Sequence, residues 1–414
     1  MVLMTAPHIT PTTGRRETTA GESVGALGVN APTIAHIGTF PPTKCGLATF
    51  GEALIASMRS VVEGIDIGVV DVVDTGRRLP FGASVQLRND DRSSIQLVAD
   101  YVNEFDAAVL EHEFGIYGGA DGADVLSLLA SIAAPVITVL HTVPARPTPG
   151  QKVVIEELAR QSEALVVMSR AASRRLIETY DVNPIMVFDI PHGTHVLPNS
   201  AAYRGRCDRP TVITWGLLGP GKGIEVGIDA MRGLRDLIPT PRYMVVGETH
   251  PKVLAHSGQS YRRELMDRAE RAGVAHMVDF DDRYRNVAEL CELIRSADVV
   301  LIPYDSREQV TSGVLVEAIA AGRPVVATAF PHATEMLGTG AGLVVPHGDS
   351  STLTRALRQI LTDETCAASM RAEAGRLATR LSWTHVANRY LELADVVSLT
   401  HGAVRGHDLL RKAE

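Results

Sequence analysis

A chain of 414 residues is longer than one ordinary hydrophobic core organises, so two domains are expected. With 45% apolar and 21% charged residues it is composed like a globular protein, and few aromatics (5%) beside plentiful glycine suit close-packed α/β layers better than a β-sandwich. A formal charge of −8 argues against a nucleic-acid partner, and four scattered cysteines (Cys45, Cys207, Cys291, Cys366) spell neither a disulfide framework nor a zinc site.

Residues 1–31, rich in Thr, Gly and Ala, read as a disordered tail; no apolar core follows Arg15-Arg16 to make them a twin-arginine signal. No apolar run is long enough to cross a bilayer, and the scattered cysteines fit a reducing cytoplasm, so a cytoplasmic protein is expected. A peripheral position at the inner membrane face rests only on Arg170, Arg174 and Arg175, which an ordinary solvated face explains more simply. From Thr33 the pattern sharpens. TIAHIG is a strand, PPTKCG (41–46) a turn-prone loop, and LATFGEALIASM (47–58) an amphipathic helix. Strands are predicted at Ile67–Val73, Ala107–Leu110, Val136–Leu140, Ala164–Met168 and Ile185–Ile190, the last running into PHGTH (191–195). Helices are predicted between them at Ser93–Asn103, Ala123–Ile132, Lys152–Gln161 and Arg170–Tyr180.

Residues 196–210 break the periodicity and mark a linker between a first domain, 32–195, and a second, 211–382. The alternation then resumes with strands at Val212–Trp215, Tyr243–Val246, Met277–Phe280, Val299–Ile302, Pro324–Thr328 and Gly342–Val345. Its helices fall at Ile224–Leu237, Tyr261–Ala272, Val287–Ser296, about Ser312 to Gly322, and Ser351–Leu361. A terminal helix, 383–400, and a loose tail, 401–414, complete the chain. Continuously apolar strands alternating with helices predict α/β architecture: two doubly wound Rossmann-like domains facing across a cleft. Loops 41–46, 111–119, 141–150, 191–195, 216–223 and 303–312 all leave the carboxyl ends of strands, where such sheets bind ligands.

GLLGPGKG (216–223) nearly spells a P-loop, but Gly223 replaces the hydroxyl residue that would hold Mg²⁺, which argues against an NTPase. Gly219 and Gly221 would let backbone amides approach a phosphate, with Lys222 as a compact cation. EHEFGIYGG (111–119) lacks the second histidine of a zinc protease; its Glu113 is either a cleft acid or part of a loop network. His141, ending a strand in VLHTVP, is expected at the cleft as a donor to a sugar hydroxyl, an acid–base group or a strand cap. His192 and His195 receive no assignment. Asp279-Phe280-Asp281 has the form of a metal-binding Asp-x-Asp, with nothing nearby to complete a shell.

The stretch 305–335 (DSREQVTSGVLVEAIAAGRPVVATAFPHATE) is a strand-flanked loop and helix. Unpaired amides and the helix dipole at its start favour an anion, most naturally phosphate. Gly313 and Glu317 share a helix face, so that phosphate would lie about one turn from a carboxylate suited to sugar hydroxyls. A plain helix with a solvated Glu317 is the competing explanation.

From Ile34 to Tyr390, and most densely over 303–335, these motifs resemble the retaining, nucleotide-sugar-dependent glycosyltransferases of family 4 (glycosyl transferases group 1), which have the GT-B fold. Glu317 followed by Ala320-Ala321-Gly322-Arg323-Pro324-Val325-Val326 matches the second glutamate and tail of the family's Glu-x7-Glu signature. The resemblance implies transfer of a hexose, mannose or glucose foremost, from a nucleoside diphosphate sugar to a glycan, lipid or small-molecule hydroxyl, with retention. It implies Glu317 on the donor ribose, Lys222 and the amides of Ser312, Gly313 and Val314 on the diphosphate, and Gly219 and Gly221 in the same loop. Gly46 would lie near sugar and phosphates, with His141 and Gln309 on the donor sugar; Lys222, His141 and Gln309 are thus the expected catalytic residues. Neither a cofactor nor a metal is implied, and the terminal helix is similar to one that crosses back onto the first domain. Two positions depart from the pattern: Gln309 replaces the first glutamate, and Leu217 the arginine preceding Lys222. Glutamine bonds sugar hydroxyls but brings no negative charge. A GT-B epimerase or phosphorylase, or a non-catalytic nucleotide-sugar-binding subunit, are the alternatives. Donor, acceptor identity and oligomeric state are left open.

Overall fold

The computed structural model describes residues 31–195, 209–283 and 285–412. The expected tail falls almost wholly outside these residues, as does the linker apart from Arg209 and Pro210. In the first domain β1 (Ile34–Gly38), β2 (Ile67–Val73), β3 (Val85–Arg88), β4 (Ala107–His112), β5 (Val136–Leu140), β6 (Ala164–Val167) and β7 (Val187–Asp189) form one parallel sheet. Its order is β3-β2-β1-β4-β5-β6-β7, reversing direction between β1 and β4. Helices α1 (Gly46–Val61), α2 (Ser94–Val102), α3 (Asp124–Leu129), α4 (Pro149–Arg160) and α5 (Arg170–Thr179) connect the strands. A crevice opens beyond the strand ends at such a reversal, between the loops that follow β1 and β4.

The second sheet contains β8 (Thr211–Trp215), β9 (Arg242–Val246), β10 (Val278–Asp281), β11 (Val299–Ile302), β12 (Val325–Thr328) and β13 (Gly342–Val345). It is likewise parallel, ordered β10-β9-β8-β11-β12-β13, and reverses between β8 and β11. Its helices are α6 (Ile224–Met231), α7 (Pro251–Ser257), α8 (Ser260–Arg271), α9 (Val287–Ser296), α10 (Gly313–Ala320), α11 (Pro331–Leu337), α12 (Ser350–Thr362) and α13 (Glu364–Leu381). Last comes α14 (Trp383–Lys412), which runs past the expected end at residue 400 through the segment read as a loose tail.

Period-two alternation divides the first sheet's two faces between two cores. Ala35, Ile37, Ala108, Leu110 and Leu140 belong to one, beside α2, α3 and α4. Ile34, Val109, Ile137 and Val139 belong to the other, with Phe50 and Leu54 of α1 and Trp383, Val386, Tyr390 and Leu391 of α14. The terminal helix therefore completes the core of the first domain.

Four elements were not anticipated. In β3 only Leu87 is fully buried, as befits an edge strand. The helix α7 occupies part of the irregular excursion 247–260 and buries no residue, so it leaves no apolar stripe to read. Pro331 opens α11 and masks its short pattern, while α13 turns largely alanines inward (Ala367, Ala374, Ala378).

The domains touch at several points. Ser169 donates its hydroxyl to the Val310 carbonyl (2.6 Å), and the Glu335 carboxylate accepts from the Arg170 and Ala171 amides at the start of α5 (3.1 and 2.9 Å). Lys44 lies 3.8 Å from Glu248.

Candidate active site

Between the domains lies a cavity of about 480 Å³, walled by residues 141–146 and Arg175 on one side and by Ser306 and residues 308–311 on the other. It brings His141 and Gln309 together, one from each domain. Arg175 ties the walls, donating to the carbonyls of Val143 (2.9 Å) and Glu308 (2.7 Å). The Glu308 carboxylate lies 3.7 Å from both Arg146 and Arg175. Gln309 donates its side-chain amide to the Thr311 carbonyl (2.9 Å), which leaves its Oε1 without a partner among the described residues.

Behind His141 sits a carboxylate that the sequence reading passed over. Alternation puts His36 of β1, Glu111 of β4 and His141 just after β5 on the same sheet face, and the strand order makes β1, β4 and β5 neighbours. Glu111 is 1% exposed and bonds His36 Nε2 through Oε1 (3.3 Å) and His141 Nε2 through Oε2 (2.5 Å). Burial by itself would raise the Glu111 pKa, but hydrogen bonds from His141 and His36 outweigh it and hold the group down to about 2. Phe50 packs edge-on against both His141 and His192, at 5.0 and 5.1 Å between ring centres.

The start of α10 is the second centre. Ser312 caps it, its hydroxyl accepting from the Leu315 amide (3.3 Å). The Ser312 amide already donates to His332 Nδ1 (2.9 Å), so it is not free for a phosphate as expected. Among the described residues the Gly313 and Val314 amides have no acceptor, as the first turn of a helix requires. A Cβ added at Gly313 would stand 3.2 Å from His192 Nε2, so the first domain's 191–195 loop lies directly against this helix start. One turn on, Glu317 accepts from Trp215 Nε1 (2.9 Å); burial raises its pKa and that hydrogen bond partly offsets the rise. Glu317 is thus half-buried and hydrogen-bonded, and not the freely solvated acid of the competing explanation.

Lys222 lies over the Tyr304 ring, 4.4 Å from its centre, with no carboxylate in ion-pair range among the described residues, and burial lowers its pKa. Its loop is locked to the one after β11, where Asp305 N donates to the Gly221 carbonyl (3.0 Å). Gly223 is left-handed (φ 63°), and a Cβ there would fall 1.7 Å from the Pro303 carbonyl oxygen. Position 223 thus has no room for the serine or threonine of a P-loop.

The remaining candidates are more peripheral. Gly46 opens α1 with nothing within 4 Å of an added Cβ, whereas Gly219 faces Val253 at 3.2 Å. Lys222, Glu317 and residues 312–314 lie outside the lining of the cavity. Glu113 is not a free acid, since it accepts from the Thr142 hydroxyl and the Phe114 amide (3.1 Å). His112 points to the opposite sheet face, stacked on Tyr117. Arg283 (2.8 Å) and Arg285 hold the Asp281 carboxylate, and no cluster among the described residues suits a metal ion. No described helix is long and apolar enough to cross a membrane.

Residues 200–378 match the family described as glycosyl transferases group 1. A D-inositol 3-phosphate glycosyltransferase from Stackebrandtia nassauensis is 31% identical over 259 residues, 59% of this chain and 57% of that protein. A phosphatidyl-myo-inositol mannosyltransferase from Mycobacterium leprae is 26% identical over 223 residues, 52% of this chain and 55% of the other. The chain thus spans under two thirds of the length of these relatives. Among solved structures, Anabaena HepE in complex with UDP-glucose superposes with a TM-score of 0.68 at 18% identity, covering 88% of this chain and all of that one. Sucrose-phosphate synthase from Thermosynechococcus elongatus gives 0.67 at 17% identity, with 89% and 99% covered. These likenesses, with the two facing parallel sheets, establish the GT-B architecture.

Proposed function

We propose, since residues 200–378 match the group 1 glycosyl transferases and the chain has the GT-B fold, that it transfers a hexose from a nucleoside diphosphate sugar to an acceptor hydroxyl with retention at the anomeric carbon. The observation that carries this reading is the inter-domain cavity that joins His141 to Gln309. Its second support is the start of α10 at the edge of the second domain, where two amides have no acceptor.

In this reading the diphosphate sits on the Gly313 and Val314 amides, with Lys222 as its cation. These groups stabilise the negative charge that grows as the sugar departs, the kind of contribution usually largest in catalysis. Glu317, steadied by Trp215, accepts from the ribose hydroxyls. The sugar lies between His141 and the Gln309 amide, and the acceptor approaches from the leaving-group side, giving its proton to the departing phosphate. No metal enters the scheme, so excess chelator should leave transfer unchanged.

The names of the relatives and of one structural neighbour suggest which compounds to try first: mannose and glucose donors, with inositol phosphate and phosphatidylinositol as acceptors. Labelled nucleotide sugars incubated with each acceptor test the reading. Glycoside that keeps the donor's anomeric configuration is the expected product. Sugar released to phosphate, or epimerised without an acceptor, would replace transfer with phosphorolysis or epimerisation. Tight donor binding without turnover would make the chain a binding subunit, the outcome for which Gln309 leaves room. Glu317→Ala should cut turnover about a hundredfold or more, as losing a charge-assisted contact does, while leaving the fold of the second domain intact by calorimetric melting.

A further inference from the structure

We propose that Glu111 is a positioning residue that holds the His141 ring with Nε2–H turned inward, so that Nδ1 meets the donor sugar as a hydrogen-bond acceptor. The inference rests on the transfer reading above and assigns a role to a carboxylate which that reading leaves unused. A charged carboxylate accepts and cannot donate. Each of its two short-range neighbours must therefore supply an N–H, and each supplies it from Nε2. His141 Nε2 is thereby committed, and Nδ1 is the only ring nitrogen left to a residue that lines the cavity. Orientation by a partner on the far side of the ring is how proteins choose between the two histidine tautomers.

The surroundings are shaped for this arrangement. A Cβ at Gly38 would come within 3.1 Å of the Glu111 side chain, and one at Gly51 within 2.7 Å of the His36 ring. Two glycines thus make room for three polar side chains inside an apolar layer. His36 is 2% exposed and its Nδ1 has no partner among the described residues, which leaves Glu111 as its one polar contact there. The second N–H from His36 satisfies the carboxylate oxygen that His141 does not reach. The two N–H donors together favour the ionised form of Glu111 against the burial that opposes it. The consequence for chemistry is specific: His141 accepts from a sugar hydroxyl, where the sequence left a donor, an acid–base group and a strand cap open.

Two measurements on the full chain decide the matter. Long-range ¹H–¹⁵N correlation of histidine-labelled protein, assigned with His141→Gln, should show His141 protonated on Nε2 with a bare Nδ1. A ring protonated on Nδ1 would overturn the proposal. In kinetics, Glu111→Gln should lower kcat and the affinity gained from the sugar by about tenfold each, the effect of losing one buried hydrogen bond, while nucleoside diphosphate affinity stays within about twofold. A variant that loses sugar and diphosphate binding alike, or keeps wild-type turnover, sinks the idea. His36→Gln still offers an N–H to Glu111 and should retain turnover that His36→Leu loses. If no nucleotide sugar binds the unaltered protein, the transfer reading fails, and the nitrogen signature alone then decides the role of Glu111.

Discussion

His112 and His332 sit in different domains, 0% and 2% exposed. Burial is the main cause that lowers both pKa values from the ordinary 6.5 to about 3. The folded protein resists protons that the unfolded chain takes up, so this stability is complete above pH 6.5 and drains as pH falls from there towards 3. Each ring costs roughly 1.4 kcal/mol per pH unit inside that window. Denaturant midpoints at pH 7, 6 and 5 should fall progressively, before most carboxylates titrate; a flat midpoint would refute the assignment. Lys222→Ala should weaken nucleoside diphosphate binding about tenfold and leave nucleoside binding alone, since the contact it removes from the ligand is a charge-assisted bond to phosphate. At this scale the sequence was only half legible. Its loop glycines drew attention to Glu113, whereas Glu111, inside an apolar strand, reaches His141. Only the order of β1, β4 and β5 in the sheet shows that His36, Glu111 and His141 share a face, and strand order is not written in any one strand.

At the scale of elements, the long apolar strands and the helix at α10 were readable because their periodicity is strong. The turn after Lys222 was not, for what decides it is a carbonyl some eighty residues further along the chain. Gly223→Ser should destabilise the second domain by upwards of about 2 kcal/mol, through the left-handed backbone and the clash with Pro303. It should bring no Mg²⁺-dependent nucleotide hydrolysis; calorimetric melting and a hydrolysis assay check the two parts. The reassignment of the Ser312 amide has the same origin, because His332 arrives from the start of the following helix, α11. Edge strand β3 and the alanine-lined α13 were missed because partial burial and small side chains blunt the pattern that reveals an element.

For the whole molecule, two parallel sheets and a cleft between them were legible from the alternation of strands and helices, but the ties across the cleft were not. Ser169 with Val310, the start of α5 with Glu335, and Arg175 with Glu308 are contacts over more than 130 positions of chain. The most consequential long-range partner is α14. Trp383, Val386, Tyr390, Leu391 and Val397 are buried in the first domain's core, and at about 2 kcal/mol for each large side chain their removal rivals a whole domain's stability. Truncation after Ser382 should expose the first domain to proteolysis and leave the second resistant; equal resistance of both would argue against this account. A different consequence concerns how the protein is made. A ribosome delivers residues in order, yet the element that seals residues 34–190 is translated only after the entire second domain. The nascent first domain must therefore wait with one apolar sheet face covered by α1 but not yet by α14, for some 200 residues of synthesis at about 5–20 residues per second, or roughly 10–40 s. During that interval a chaperone would find its natural landing place on the face that α14 later occupies.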